Sequence, residues 1–224
     1  MRVLIACEES DEVRSSFEQM GFDAWSCDIQ PNRNPNAKHY QCSIFDILNN
    51  GWDAMIAFPP CTHLAVSGAA WFEQKRKDGR QQQGIDFFMA MVNAPIKHIA
   101  IENPVGIMSK LYRKPDQKIQ PYYFGDQTRK TTCLWLKNLP LLYHNSNTNL
   151  FDNKVTHVKP ILIEYASKKS KTGIRTYSGA AAKWFKTKEE RSKERSKTFP
   201  GIAEAMANQW GKYLIEQYGI QNPS

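Results

Sequence analysis

Three short apolar runs constrain this chain more than anything else in it: RVLIA (2–6), WDAMIAF (52–58) and KHIAI (97–101). Each is too short for a helix and lacks helical periodicity, so each reads as a buried strand. Each is also followed by a chemically capable residue: Cys7, then Cys61 behind Pro59 and Pro60, then Glu102. Between them lie amphipathic stretches. SDEVRSSFEQMGF carries Asp11 and Glu12 early and Gly21 at its end, the signature of a helix closed by glycine. Residues Gln81 to Val92 place Ile85, Phe88, Met89 and Val92 on one helical face. DAWSCDI is a further strand ending on Asp28, and after the polar loop PNRNPNAKHY a short strand or turn carries Cys42 to Asp46. Alternation of this kind predicts an α/β fold, a Rossmann-like, mostly parallel sheet with helices on both faces. Such sheets bind ligands at the carboxyl ends of their strands, the edge to which Asp28, Cys61 and Glu102 all belong.

Proline fixes its own φ and restricts the residue before it, so a thiol placed after Pro59-Pro60 sits in a stiff, presented geometry. A cysteine taken at random behaves as a small buried hydrophobe. Cys61 departs from that expectation because the strand should end at Pro59 and leave the thiol at the rim. The five cysteines, Cys7, Cys27, Cys42, Cys61 and Cys133, are odd in number and show no CxxC or Cys/His spacing. That argues against both a disulfide framework and a metal site, and leaves a thiol as the chemically relevant form.

At 224 residues the chain suits one domain with a small appendage. No apolar run approaches bilayer length, and MRVLIACEES meets acids too early for a signal peptide, so a cytoplasmic protein is expected. The formal charge of +8 favours an anionic partner, of which nucleic acid is the commonest for a basic protein. From Tyr122 the texture changes. TTCLWLKNLPLLY reads as one or two strands, and HNSNTNLFDNKVTH as loop. Between Lys168 and Lys197 there are 11 Lys or Arg against three acids, interleaved with Tyr177, Trp184 and Phe185. Two readings stand for this segment: a solvated surface, or a phosphate-contacting one using Lys183, Lys186, Lys188 and Arg191. GIAEAMANQWGKYLIEQYG has helical spacing and should pack back on the sheet.

FPPCTHLAVSG (58–68) resembles the nucleophile motif of the DNA cytosine-5 methyltransferases, Pro-Cys followed by Gln-x-Phe-Ser-x-x-Gly. It keeps Pro-Pro-Cys and Gly68 but has Thr62, Leu64 and Ala65 where the family has Gln, Phe and Ser. IENPVG carries Glu102-Asn103-Pro104-Val105 where the family has Glu-Asn-Val. FGDQTRKTTCLWL is similar to the family's Gln-x-Arg-x-Arg segment through Gln127 and Arg129, with Thr131 at the second arginine and Lys130 beside it. The opening is the least similar part, since ACEES stands in place of the family's glycine loop. TCLWLKNLP and RSKTFPGIAEAMA resemble stretches of small methyltransferase-like proteins of phages and prophages.

The resemblance implies a class I methyltransferase type of fold with S-adenosyl-L-methionine as cofactor. Residues 1–140 would form the cofactor-binding catalytic domain, 141–197 a reduced basic recognition region, and 198–224 a helix returning to the catalytic domain. By the same resemblance the catalytic residues would be Cys61, Glu102 and Arg129. The cofactor would meet Ala6, Cys7, Glu8, Ser10, Asp28, Ile29, Asp46, Phe58 and Pro59. Nucleic acid would meet Gly68, Gln127 and Lys130 together with the basic segment, and a mobile loop from Thr62 to about Arg80 would close behind the base. The implied activity is cytosine-5 methylation of DNA through a covalent Cys61–C6 bond. Two alternatives remain open: the same chemistry on RNA or a free pyrimidine nucleotide, and a catalytically silent DNA- or cofactor-binding accessory or anti-restriction protein.

Overall fold

The structure is a computed structural model that describes residues 1–144, 157–166, 174–178, 187 and 198–219. Its centre is a seven-stranded sheet formed by β1 (Arg2–Ala6), β2 (Asp23–Asp28), β3 (His39–Gln41), β4 (Ala54–Ala57), β5 (His98–Pro104), β6 (Gln117–Ile119) and β7 (Thr132–Lys137). The spatial order is β3-β2-β1-β4-β5-β7-β6. Six strands run in one direction, and only β7, antiparallel to both β5 and β6, is reversed. Helices α1 (Glu12–Gln19), α2 (Phe72–Lys77), α3 (Arg80–Val92), α4 (Met108–Leu111) and α5 (Pro200–Tyr218) complete the frame. A separate antiparallel pair, β8 (Leu162–Ala166) and β9 (Ile174–Ser178), lies within the span 141–197.

Strand residues alternate strictly between two cores, as the two-residue period of a pleated strand requires. Val3, Ile5, Ala54, Ile56, Ala100 and Leu134 face one side, where Val13 and Phe17 of α1 and Ile202, Met206 and Trp210 of α5 cover them. Leu4, Ala6, Met55, Ala57, Ile99, Ile101 and Trp135 face the other, under Phe88 and Met91 of α3. Burial on both faces explains why the strands read as continuous apolar runs. The strand order, the reversed β7 and the two helical layers make this a Rossmann-like α/β fold with a mostly parallel sheet.

The structure resolves two expectations left open and corrects others. Of the strand or turn expected at 42–46 it forms the turn, a 3₁₀ turn at Ile44–Asp46, and a strand lies at His39–Gln41, partly within the stretch expected to be loop. Ile44, Ile47 and Leu48 are all buried, a helical spacing. The segment 62–80 is folded, with a 3₁₀ helix (Val66–Trp71) leading into α2. It escaped pattern reading because Lys75 is the only residue of α2 that is buried. Of the one or two strands expected in TTCLWLKNLPLLY the structure forms one, β7; beyond it Leu142 is bracketed by the Gln117 side chain, which accepts from its N–H at 2.8 Å and donates to its C=O at 2.7 Å. Among the described residues no helix is long and apolar enough to cross a membrane.

Candidate active site

The sheet register aligns Cys27, Ala6, Ala57 and Ile101 across β2, β1, β4 and β5. The next residue on each strand or its exit is therefore Asp28, Cys7, Phe58 and Glu102, so one row at the carboxyl edge carries four of the residues singled out by sequence. Two pockets open along it. A cleft of ≈ 180 Å³ is lined by Cys7, Glu8, Glu9, Ser10, Asp28, Gln30, Phe58 and Thr198. A smaller pocket of ≈ 20 Å³ is lined by Phe58, Glu102, Lys130, Thr132, Thr198, Phe199 and Ile202. Phe58 and Thr198 line both, so the two pockets abut.

The cleft is built on a loop with no glycine that nonetheless takes left-handed turns at both ends, with Cys7 at φ 61° and Asp11 at φ 68°. The N–H groups of Cys7 and Glu8 both donate to the Cys27 carbonyl, at 2.7 and 3.2 Å. Glu8 is buried, and its carboxylate accepts from the N–H groups of Val13 (2.8 Å) and Arg14 (3.1 Å) and from the Ser10 hydroxyl (3.2 Å). It thus satisfies the first turn of α1, as a capping acid does. Burial pushes the Glu8 carboxyl up to about 7, with these hydrogen bonds opposing the shift. Burial likewise raises the Cys7 thiol and the Asp28 carboxyl.

The polar loop after β2 braces this arrangement. Asn34 Nδ2 donates to Asp11 at 2.9 Å, Arg33 pairs with Glu9 at 3.0 Å, and Asp11 is forked by Arg14. Sequence reading assigned Asn34 and Arg33 to plain loop; Asn and Arg in a loop are too common to mark a brace until their partners are seen. Asp46 is exposed, as is Ile29 at 71%, and neither lines the cleft. Ala6 is buried in the core and acts through its carbonyl, which accepts from Phe58 N–H at 2.9 Å.

The Cys61 turn is sewn to the end of β5. Buried Asn103 donates from Nδ2 to the Pro59 carbonyl at 2.9 Å. Val66 N–H donates to Val105 O, and Ile107 N–H to Leu64 O, both at 3.0 Å. Within the turn, the N–H groups of Leu64 and Ala65 both donate to the Cys61 carbonyl, at 3.0 and 2.9 Å. A Cβ on Gly106 would lie 2.5 Å from Leu64 O, so only glycine permits this approach. The Pro-Pro-Cys turn and the Glu-Asn-Pro-Val-Gly segment are thereby one structural unit. Cys61 is half-buried, and no disulfide joins it to another cysteine.

In the smaller pocket, burial raises the Glu102 carboxyl, while the charge of Lys130 and a hydrogen bond from Thr132 oppose the rise. Lys130 lines this pocket; Arg129 and Gln127 are exposed outside it. Thr132, Thr198 and Phe199 were not anticipated. Thr132 could have been found from its pairing opposite Pro104 on β5, whereas Thr198 and Phe199 arrive from far along the chain with α5. Their position is fixed by Gly201, whose N–H donates to Asp126 at 3.0 Å and whose Cβ position would fall 1.9 Å from Phe124 O. Gly68 sits beside Lys75 and Thr62. Lys183, Lys186, Lys188 and Arg191 lie outside the described residues. Among the described residues no group of three or more His, Cys, Asp or Glu side chains could hold a metal ion.

No family model matches this chain, and no curated protein matches it. Solved structures do. One is a protein encoded within an E. coli prophage to which a DNA modification methyltransferase role is ascribed. It is 17% identical with a TM-score of 0.42, over 61% of this chain and 46% of that one. The chain therefore spans less than half the length of that neighbour.

Proposed function

We propose that this chain is an S-adenosylmethionine-dependent methyltransferase that modifies C5 of cytosine in DNA, with Cys61 as nucleophile and Glu102 as acid. The observation that carries the reading is the junction of the two motifs: Asn103, next to Glu102, holds the carbonyl of Pro59, two residues before Cys61. A thiol and a raised carboxyl are thus fixed on adjacent strand ends, the pairing that addition to a pyrimidine ring requires.

The acidic cleft suits the cofactor. Asp28 at the end of β2 would accept from a ribose diol, and Glu8, Glu9 and Asp28 line the cleft that a positively charged ligand would enter. S-adenosylmethionine bound there would supply the methyl group as an electrophile. The remaining chemistry belongs to the chain. C5 of cytosine is a poor nucleophile, and addition of the Cys61 thiolate at C6 makes it an enamine carbon. Glu102, whose carboxyl burial raises, would donate to N3 as the thiolate adds. Lys130, which lines the same pocket and whose charge acts on Glu102, would stabilise the carboxylate left behind. The smaller pocket, at ≈ 20 Å³, holds little more than a water, so Thr198 and Phe199 must move to admit an extruded base.

Incubation with labelled S-adenosylmethionine and separate pools of duplex DNA, single-stranded DNA, RNA and dCMP, followed by nucleoside mass spectrometry, tests this. 5-Methylcytosine in DNA is expected. Label confined to RNA or dCMP would move the function to those substrates, and label in none would overturn it.

A further inference from the structure

Lys75 of α2 is 7% exposed, an unusual state for a lysine. Its ammonium donates to the Thr62 carbonyl at 2.6 Å, one residue beyond Cys61. The contact closes the segment 62–75 on itself, and space for it exists because residue 68 is glycine: a Cβ there would lie 3.2 Å from Nζ and 3.5 Å from Thr62 O. Consecutive Cα atoms are about 3.8 Å apart, so the ammonium lies within about 10 Å of the Cys61 backbone in a place where water screens it poorly. The other charged groups felt there are known from His63, whose proton is disfavoured by burial, by Lys75 and by Arg80, with Asp78 opposing. Asp78 is already forked by Arg80 at 2.9 and 2.5 Å.

We propose that Lys75 is a positioning residue for Cys61: anchored on the Thr62 carbonyl, its buried ammonium fixes the turn that presents the thiol and supplies the positive charge that favours the thiolate. The proposal rests on the reading of Cys61 as a nucleophile. A thiolate is the reactive form of cysteine, and nearby cations lower the pH at which it forms. The turn's own hydrogen bonds to the Cys61 carbonyl set its shape, while Lys75 ties that shape to α2.

The test is the pH dependence of Cys61 alkylation by iodoacetamide, followed by mass spectrometry of the Cys61 peptide. It needs neither cofactor nor substrate, so its outcome is independent of whether the protein methylates DNA. Three variants separate charge from tether: Lys75→Met removes both, Lys75→Gln keeps a donor without charge, and Lys75→Arg keeps charge. In Met and Gln variants the midpoint should rise by about one pH unit, slowing alkylation at neutral pH by about tenfold, while Arg stays near wild type. Loosening alone would speed alkylation at every pH and leave the midpoint in place. An unchanged midpoint in the Gln variant, or in the Met variant where Gln fails to fold, overturns the proposal.

Discussion

At the scale of single residues the site is a set of groups whose environments oppose their charged forms. Glu8 and Glu102 are both raised by burial, yet they do different work: Glu8 faces the first amides of α1, and Glu102 faces Lys130 and Thr132. Replacing Glu102 by Gln should slow single-turnover methyl transfer by roughly two to four orders of magnitude, the scale of a positioned acid, with little change in DNA affinity. Rates within a few-fold of wild type would make Glu102 structural. Glu8 makes a separate prediction about stability. Its folded pKa of about 7 lies above the unfolded value of 4.5, so the folded state binds more protons between those values. Its contribution to stability should therefore fall as pH rises from 4.5 to about 7 and stay flat above. Melting curves across this range should show wild type losing more stability than Glu8→Gln, and parallel curves would contradict the assignment. Asp28, Cys61 and Glu102 were legible because they follow apolar runs. Thr132 and Lys130 were harder to place, because which residue of a polar loop turns inward depends on the register of β7 against β5.

At the scale of elements the site depends on two close approaches that only glycine allows. Gly106 lets the β5 exit meet the Cys61 turn, and Gly201 lets α5 meet the Phe124–Asp126 segment. In each case the obstacle to a side chain is a backbone carbonyl, which cannot swing aside as a side chain can. Gly201→Ala should cost about 1–3 kcal/mol of stability by denaturant melting and should weaken cofactor binding, because Thr198, three residues before it, lines both pockets and Phe199 the smaller one. A variant of wild-type stability and affinity would separate α5 from the site. Pattern reading found β1, β2, β4, β5, α1, α3 and α5 because each buries a periodic apolar face. It missed α2 because a helix that buries one lysine leaves no hydrophobic period, and it left most of β3 in the polar loop because that strand is three residues at the sheet edge, two half-buried and one exposed.

At the scale of the whole molecule the charge is divided: the described cleft is acidic, while the excess of cations is concentrated at 168–197. If Lys183, Lys186, Lys188 and Arg191 meet phosphates, changing all four to Gln should flatten the dependence of log affinity on log salt for duplex DNA by up to roughly three units. An unchanged slope would make that segment a solvated surface and shift weight to a nucleotide-sized substrate. Phe58 and Thr198 set the cleft and the smaller pocket side by side, and the Asn103–Pro59 bond ties the Cys61 turn to the strand end that carries Glu102. The central claim is that this junction performs covalent addition to cytosine. Duplex DNA carrying 5-fluorocytosine, incubated with protein and S-adenosylmethionine and resolved under denaturing conditions, tests it most directly, because the fluorine blocks release once C6 is bonded. The wild type should form a protein–DNA adduct whose linkage maps to Cys61, and Cys61→Ser should form none. An adduct that survives the substitution, or 5-methylcytosine produced by the Ser variant, would contradict the account.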